Sequence, residues 1–275
     1  MTAPGTDAGY EGGVRSDVPA VVRAGIDAVA LKPAEHDLDR ARSLPTSLDR
    51  IAVDYEGRAH LPDAATLRRL ARGRHVLVTT PVRADGFDPL GDDSLLEDLP
   101  EGTGRVLVAG HAAYLDEAER RKPVAPRLRA ALEAAPDAWV GTEGIERIAL
   151  ATGGSQYELL SRSTVRDVRA LRAAGFDGGV AVYAPTVLSG DDDAVLDAVG
   201  AYAARRRPVA RALPDDASTD SSAGGRAREV LSAAVRDYAL VGSPEAVREQ
   251  VERLRTAGVD TVVGYPAAGL EQFVE

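Results

Sequence analysis

The sequence predicts a single α/β domain, most consistent with a (β/α)8 TIM-type barrel. Short apolar runs alternate with longer segments rich in Ala, Leu and Arg, a pattern typical of parallel βα units. The runs are apolar at nearly every position rather than at every second one, which indicates strands buried on both faces. The chain has 275 residues, a normal length for one barrel.

Seven runs are predicted as strands, and the alternation around them sets the fold class. In chain order they span residues 28–32, 50–54, 75–80, 105–109, 147–152, 179–183 and 260–265, and a short run at 138–140 is an eighth candidate. One strand more or fewer changes the architecture. An incomplete or divergent barrel and an open doubly wound sheet therefore stay as alternatives.

Helix signals separate these runs. Ser243, Pro244 and Glu245 provide an N-cap, a proline at the first helical position and an acid in the first turn, and Gly258 follows at the position of a C-terminal cap. The segment 164–175 repeats this form. Further helices are predicted to begin near residues 16–17 and to cover 115–134.

Two segments are predicted to lack regular structure. Residues 1–15 are Gly- and Asp-rich and lie at a terminus, so we expect disorder there. Residues 214–225 have the sequence PDDASTDSSAGG, a polar, low-complexity stretch that indicates a mobile loop. We expect residues 16–275 to form one domain with this loop as an insertion.

Composition excludes several classes of function. The absence of cysteine removes disulfides, thiolate zinc sites, iron–sulfur clusters and a cysteine nucleophile, and the four histidines show no metal-ligand spacing. A net charge of −10, with 43 acidic against 33 basic residues, disfavours nucleic acids and anionic membranes. Together with the lack of an apolar leader or span, this predicts a soluble, cytoplasmic protein adapted to a salty, halophilic interior.

The C-terminal part of the chain resembles a known enzyme superfamily. Residues 238–266 have the sequence YALVGSPEAVREQVERLRTAGVDTVVGYP, in which a VGSPEAV turn enters a helix and AGVD precedes a last strand. This arrangement resembles the C-terminal signature of luciferase-like monooxygenases and deazaflavin-dependent reductases. Residues 178–204 and 147–160 also resemble that family, and the resemblance covers roughly the C-terminal third of the chain.

The resemblance implies a barrel enzyme that binds coenzyme F-420 or FMN. It implies hydride transfer to a small organic substrate, with the protein supplying binding and orientation, and it implies a homodimer. Two other hypotheses stay open: a flavin-free lyase or aldolase, and a non-catalytic luciferase-like subunit.

The turn Gly153-Gly154-Ser155 is the candidate site for the cofactor phosphate. Two glycines allow backbone N–H groups to approach an oxyanion, and the serine hydroxyl adds a donor. The resemblance also places phosphate contacts in this neighbourhood. An ordinary tight turn is the competing interpretation. Tyr183, which ends the strand in the resembling segment 178–204, is a further cofactor-binding candidate.

Catalytic candidates are polar residues that directly follow the predicted strands, because barrel active sites lie there. His111 is placed for a general acid or a ring contact. Lys32, one of two lysines in the chain, is placed to form a Schiff base in the lyase hypothesis. His36 and the carboxylates around Asp54 also follow strands, although loop carboxylates in so acidic a chain are usually only solvated.

Overall fold

A computed structural model describes residues 18–83, 99–109, 115 and 117–274 of the chain. The predicted disorder at 1–15 and the candidate His111 lie outside the described residues. Within those residues the strands are β1 Ala28–Leu31, β2 Arg50–Val53, β3 His75–Pro81, β4 Gly104–Val108, β5 Trp139–Gly141, β6 Gln156–Leu159, β7 Val180–Val187, β8 Leu240–Val241 and β9 Thr261–Pro266.

Helices connect these strands along the described ranges. The α-helices are α1 Ala20–Arg23, α2 Ala64–Leu70, α3 Glu117–Arg120, α4 Val124–Ala134, α5 Glu146–Ala151, α6 Thr164–Ala173, α7 Asp192–Ala204, α8 Arg207–Ala210, α9 Gly225–Tyr238, α10 Pro244–Ala257 and α11 Glu271–Val274. Single 3-10 turns lie at Arg40–Ser43 and Arg58–His60.

The strands close into a parallel ring. Strands β1 to β7 pair in chain order, and β9 pairs with β7 on one side and with β1 on the other. The two-residue strand β8 pairs only with the carboxyl end of β7, outside the ring. Eight parallel strands with helices between them therefore form a (β/α)8 barrel. This confirms the predicted fold class and removes the open-sheet alternative.

The two faces of each strand contribute to different apolar layers. Valine, leucine and isoleucine side chains point outward and pack beneath the helices, in a cluster that includes Val29, Leu31, Ile51 and Val182. The inward-facing cluster contains small side chains on β1 and β2 and tyrosines on β6, β7 and β9. The alanines leave space inside the barrel that the larger inward residues only partly fill.

One predicted strand is wrong. Residues 147–152 form most of helix α5 rather than a strand, with Ile145 and Ala149 buried on one side of it. Apolar residues at a spacing of three to four indicate a helix, but in so short a run they resemble a buried strand. The real strand β6 lies after it and includes the polar Gln156 and Glu158, which concealed it from an apolar-run criterion.

The helix signals are otherwise accurate. Ser243 Oγ accepts a hydrogen bond from the Ala246 N–H at 3.3 Å, and Gly258 ends α10 with φ of 110°, as the sequence predicts. The predicted helix 115–134 is instead divided into α3 and α4 at Pro123, because proline at this point begins a new helix more readily than it continues one.

The loop at 214–225 contacts helix α7 at two points. Asp197 Oδ1 accepts a hydrogen bond from the Ser221 N–H at 2.8 Å, and Gly200 faces the carbonyl group of Thr219. The mobility of this loop remains a prediction, and a substitution at one of these contacts can test it.

Replacing Gly200 with alanine tests how firmly the loop is held. A Cβ atom at this position would lie 2.1 Å from the Thr219 carbonyl oxygen, so the backbone of the loop or of the helix must shift. We expect the free energy of unfolding in urea to fall by about 1–3 kcal/mol, as in other overpacked sites. Gly190→Ala is the control, since a Cβ there meets nothing within 4 Å. Unchanged stability in Gly200→Ala would show that the loop yields freely.

Candidate functional site

A cavity of about 770 Å³ opens at the carboxyl ends of the barrel strands. Its size is in the range of small-molecule sites, and its position is the usual one for barrel active sites. Residues that line it are Lys32, Glu35, Asp54, Thr79, Val108, Gly141, Thr142, Glu143, Tyr157, Leu159, Tyr183, Pro185, Ala198, Val199, Ala201, Tyr202, Arg205, Arg206, Tyr265 and Ala267. The cavity is thus formed by all eight ring strands together with the carboxyl-terminal part of α7.

A row of aromatic rings crosses the base of the cavity. Trp139 stacks on Tyr157 with ring centroids 5.6 Å apart, and Tyr157 meets Tyr183 edge to face at 6.1 Å. Tyr183 in turn lies 6.0 Å from Tyr265, at an interplanar angle of 30°. The rings of Tyr157, Tyr183 and Tyr265, on β6, β7 and β9, line the cavity as an aromatic wall, and Trp139 of β5 packs on this wall without lining the cavity.

A charged group lies at the edge of the cavity where β1 and β9 meet. Lys32 Nζ donates a hydrogen bond to Glu35 at 3.1 Å and sits 4.9 Å from the centroid of the Tyr265 ring. The Tyr265 hydroxyl donates to the second oxygen of Glu35. Burial of Tyr265, followed by this hydrogen bond, raises the pKa of its hydroxyl above the ordinary range. Tyr265 is therefore a hydrogen-bond donor and not an ionised base at neutral pH.

Asp54, directly after β2, is a half-buried acid of the site. Its side chain borders the cavity, and Oδ1 accepts a hydrogen bond from the Thr79 hydroxyl at 3.1 Å. Removal from bulk water raises the pKa of Asp54 to about 6, although the Thr79 hydrogen bond and the charge of Lys32 act in the opposite direction. An acid with this pKa can take up and release a proton near neutral pH.

His36 has a structural position beside the cavity. Its Nδ1 accepts a hydrogen bond from the backbone N–H of Lys32 at 3.0 Å, so the other nitrogen is the donor toward the Pro266 carbonyl, 3.2 Å away. The ring is buried and meets Tyr265 edge to face at 5.2 Å. His36 therefore ties the loop after β1 to the end of β9, and both nitrogens are occupied by the backbone.

Two arginines at the end of α7 lie across the barrel mouth from Lys32 and Asp54. The guanidinium of Arg206 donates to the Tyr202 hydroxyl and packs 4.4 Å from the Tyr202 ring centroid. Its Nη1 lies 3.7 Å from Oε1 of Glu143, which follows β5. In the ring β5 is three strands from β2, so the acidic and basic groups face each other over the cavity.

The predicted site residues are only partly brought together. Lys32 and Tyr183 both line the cavity. Gly153, Gly154 and Ser155 lie in the turn that precedes β6, at the amino end of that strand and away from the cavity. They were assigned to the carboxyl end because 147–152 was predicted as a strand. A phosphate role for this turn remains a prediction without support from the cavity geometry.

Asp54, Thr79 and Tyr265 were expected at the ends of predicted strands, whereas other cavity residues, such as Gly141, were not predicted. Strand alternation is the signal that places them inside the barrel. Inward-facing positions recur every second residue, and continuing the inward register of Ala52 by two residues reaches Asp54. The same step takes Leu77 to Thr79 and Trp139 to Gly141. Asp54 had been interpreted as a solvated loop acid. Arg205 and Arg206 had no signal of this kind, because a long helix delivers them to the cavity.

The described part of the chain lacks two features that would point to other kinds of site. No helix among those residues is long and apolar enough to cross a bilayer. In the same ranges no three His, Asp or Glu side chains are grouped so that they could bind a metal ion.

The fold and the cavity define a TIM-type barrel protein with a ligand site at the carboxyl ends of its strands. The chain belongs to the family of unknown function DUF7388, whose model matches residues 21–273. A local similarity, 36% identity over 85 residues, links it to 1-deoxy-D-xylulose 5-phosphate reductoisomerase of Cupriavidus metallidurans. That match covers 30% of this chain and 22% of the enzyme's length.

Solved structures with the same fold include two coenzyme F420-dependent enzymes. One is an F420-dependent secondary alcohol dehydrogenase in complex with an F420–acetone adduct, with a TM-score of 0.55 and 15% identity. The other is the coenzyme F420-dependent tetrahydromethanopterin reductase of Methanopyrus kandleri, with a TM-score of 0.59 and 14% identity. Each comparison covers 89% of this chain and 94% of the other. At this level of identity they establish the fold.

Asp54→Asn should alter the pH dependence of stability. Because the pKa of Asp54 is raised to about 6 by burial, the folded protein holds this proton more tightly than the unfolded chain. That stabilisation is complete below the ordinary pKa and is lost as pH rises through about 6. We expect Asp54→Asn to exceed the wild type in free energy of unfolding at pH 7.5 by about 1–2 kcal/mol, because water in the cavity reduces the full effect.

Urea unfolding between pH 4 and 8 measures this difference, which should shrink toward the acidic end. Asp137→Asn, at an exposed position, is the matched control and should follow the wild-type curve. A constant offset between Asp54→Asn and the wild type at every pH would contradict the assignment.

Proposed function

We propose that this protein is an oxidoreductase that uses coenzyme F420 and acts on a small organic substrate. The cavity at the carboxyl ends of the strands, with its aromatic wall and half-buried acid, is the observation that supports this proposal most strongly. The two F420-dependent enzymes with the same barrel and the resemblance of the VGSPEAV turn to deazaflavin-dependent reductases agree with it. Neither of these enzymes favours FMN, which serves as the comparison ligand.

The residues of the cavity fit a deazaflavin. A tricyclic ring needs aromatic or apolar side chains to pack against, and the rings of Tyr157, Tyr183 and Tyr265 line the cavity. The volume of about 770 Å³ leaves room for a ring and a small substrate together. Tyr183 was predicted as a cofactor contact, and in this proposal it keeps that role.

The bound cofactor would supply hydride chemistry, and the protein would supply positions and protons. Asp54 is the candidate general acid and base, because it is half-buried beside the cavity with a pKa near 6. In the reduction of a carbonyl group it would donate a proton to the oxygen, and in the oxidation of an alcohol it would accept one. Thr79 would hold Oδ1 in place through its hydroxyl hydrogen bond.

Lys32 has two interpretations in this site. As a neighbour of Asp54 it would orient a polar substrate oxygen through its ammonium group. As a Schiff-base nucleophile it would support the flavin-free lyase, but its Nζ is already in an ion pair with Glu35, and a nucleophilic amine must first lose its proton. Borohydride trapping with carbonyl compounds distinguishes the two, because only a Schiff base would label Lys32.

Ligand binding can be measured by thermal shift in high salt against coenzyme F420 and FMN. A ligand at 100 times its dissociation constant stabilises a fold by about 2.7 kcal/mol, so we expect a clear shift with coenzyme F420. Failure of both ligands to shift the transition would contradict the proposal and favour the lyase or a non-catalytic subunit.

Two variants locate the binding site. Ala198→Trp would fill the cavity from α7 and should abolish the shift, since the ring would compete with the ligand for the same volume. Gly154→Asp places an acid in the turn before β6 and should leave the shift unchanged. Loss of binding in Gly154→Asp with retention in Ala198→Trp would instead favour the predicted turn at Gly153, Gly154 and Ser155.

Asp54→Asn separates binding from chemistry. Asparagine can still accept the Thr79 hydrogen bond but cannot carry a proton, so cofactor binding should persist while turnover with a reactive carbonyl or alcohol falls by about 100-fold or more. Activity equal to the wild type would remove Asp54 from the mechanism.

A further inference from the structure

The carboxyl-terminal end of α7 presents the strongest unassigned feature of the cavity. We propose that Arg205 and Arg206 form an anion-binding subsite that holds a phosphate or carboxylate group of the ligand. This inference rests on the proposed function for the identity of the ligand, but the subsite itself is argued from the geometry of the two arginines.

Arg206 is only partly paired by the protein. Its guanidinium donates to the Tyr202 hydroxyl and packs on the Tyr202 and Tyr238 rings. The nearest acid, Glu143, is 3.7 Å from Nη1, beyond hydrogen-bond distance. The Nε atom is buried and has no hydrogen-bond partner among the described residues. Because a buried charged donor gains from every hydrogen bond it makes, Arg206 keeps donor capacity for a ligand although Glu143 lies within ion-pair distance.

Arg205 also faces the cavity without an acidic partner. Its guanidinium carbon lies 6.0 Å from the centroid of the Tyr202 ring. Among the described residues, no ion pair joins Arg205 to an acid. The side chain is exposed at the cavity mouth. Two adjacent guanidinium groups therefore leave a local positive charge at one side of the mouth.

Charge on the opposite side restricts where an anion can lie. Glu35 and Asp54 border the cavity near β1 and β2, with Lys32 as the cation between them. A ligand phosphate placed there would face two carboxylates and one lysine, whereas at α7 it would face two arginines and the single carboxylate of Glu143. The cavity thus favours an elongated ligand whose anionic end lies at α7 and whose uncharged reacting end lies at Asp54.

Helix electrostatics offer a simpler reason for the arginines. The carboxyl end of a helix stabilises positive charge, and Arg205 is the C-cap of α7. Arg207, the next but one residue, is exposed and is not part of the cavity lining. Arg207 has the same charge and lies nearly as close to the helix end. If the effect of the arginines were only electrostatic, replacing Arg207 would weaken ligand binding as much as replacing Arg205.

The test compares coenzyme F420 with its deazaflavin chromophore, which lacks the phosphate and carboxylate tail. Dissociation constants are measured by fluorescence for the wild type, Arg205→Gln, Arg205→Gln/Arg206→Gln and the control Arg207→Gln. We expect the wild type and Arg207→Gln to bind the full cofactor about tenfold or more tightly than the chromophore. This preference should fall in Arg205→Gln and disappear in the double variant, with chromophore affinity unchanged.

A preference retained in the double variant, or lost equally in Arg207→Gln, would overturn the subsite and leave the proposed function intact. The single variant Arg205→Gln keeps the Arg206 contacts with Tyr202, so it reports on the subsite if the double variant does not fold. If neither ligand binds the wild type, the proposed function fails, and the subsite is then tested with inorganic phosphate. The melting temperature is measured in sodium phosphate and in sodium chloride at equal ionic strength.

A higher melting temperature in phosphate that is lost in Arg205→Gln would support the subsite. Equal melting temperatures in the two salts would overturn it.

Discussion

Strand β9 is the constraint on which the rest of this structure depends. It hydrogen-bonds to β7 along most of its length and to β1 through two residue pairs, Ala28 with Val263 and Val29 with Gly264. Side chains reinforce this seam at its carboxyl end: His36 links the β1 loop to the Pro266 carbonyl, and Tyr265 donates to Glu35. Without these contacts the sheet would be open and the residues after β1 and β7 would not share a cavity. The seam of the barrel is therefore also an edge of the candidate site.

The cavity follows from the sizes of the inward-facing side chains. Alanines on β1 and β2 oppose tyrosines from β6, β7 and β9, so the interior is filled on one side and open on the other. Asp54 and Lys32 extend the small-residue side toward the mouth. Burial of Asp54 in the lining of this cavity desolvates its carboxyl group, and this desolvation raises its pKa. The packing that shapes the cavity thus also sets the acid–base property of Asp54.

Much of the fold could be predicted from the chain because buried parallel strands are nearly continuous apolar runs. β1, β2, β3, β4, β7 and β9 were recognised in this way. β6 was not, because Gln156 and Glu158 interrupt its apolar character, while the helix at 146–151 has enough apolar residues to resemble a strand. Because this helix was predicted as a strand, the turn at Gly153, Gly154 and Ser155 was predicted at the carboxyl end of the barrel, whereas it lies at the amino end. Lys32 and Asp54 were found from strand ends, and Tyr183 from a strand end within the resembling segment. Arg205 and Arg206 depend on how α7 crosses the mouth, which local pattern does not encode.

The position of β9 in the chain has a consequence for biosynthesis. His36 and Pro266, which meet across the seam, are separated by 230 residues. At about 5–20 residues per second, β1 leaves the ribosome roughly 10 to 50 s before the strand that closes on it. Until β9 is made, the edge of β1 has unpaired backbone groups, and so does the edge of β7 once that strand has been made, and other chains can pair with them. The order of the strands along the chain thus leaves the nascent barrel open to mispairing until its last strand is made.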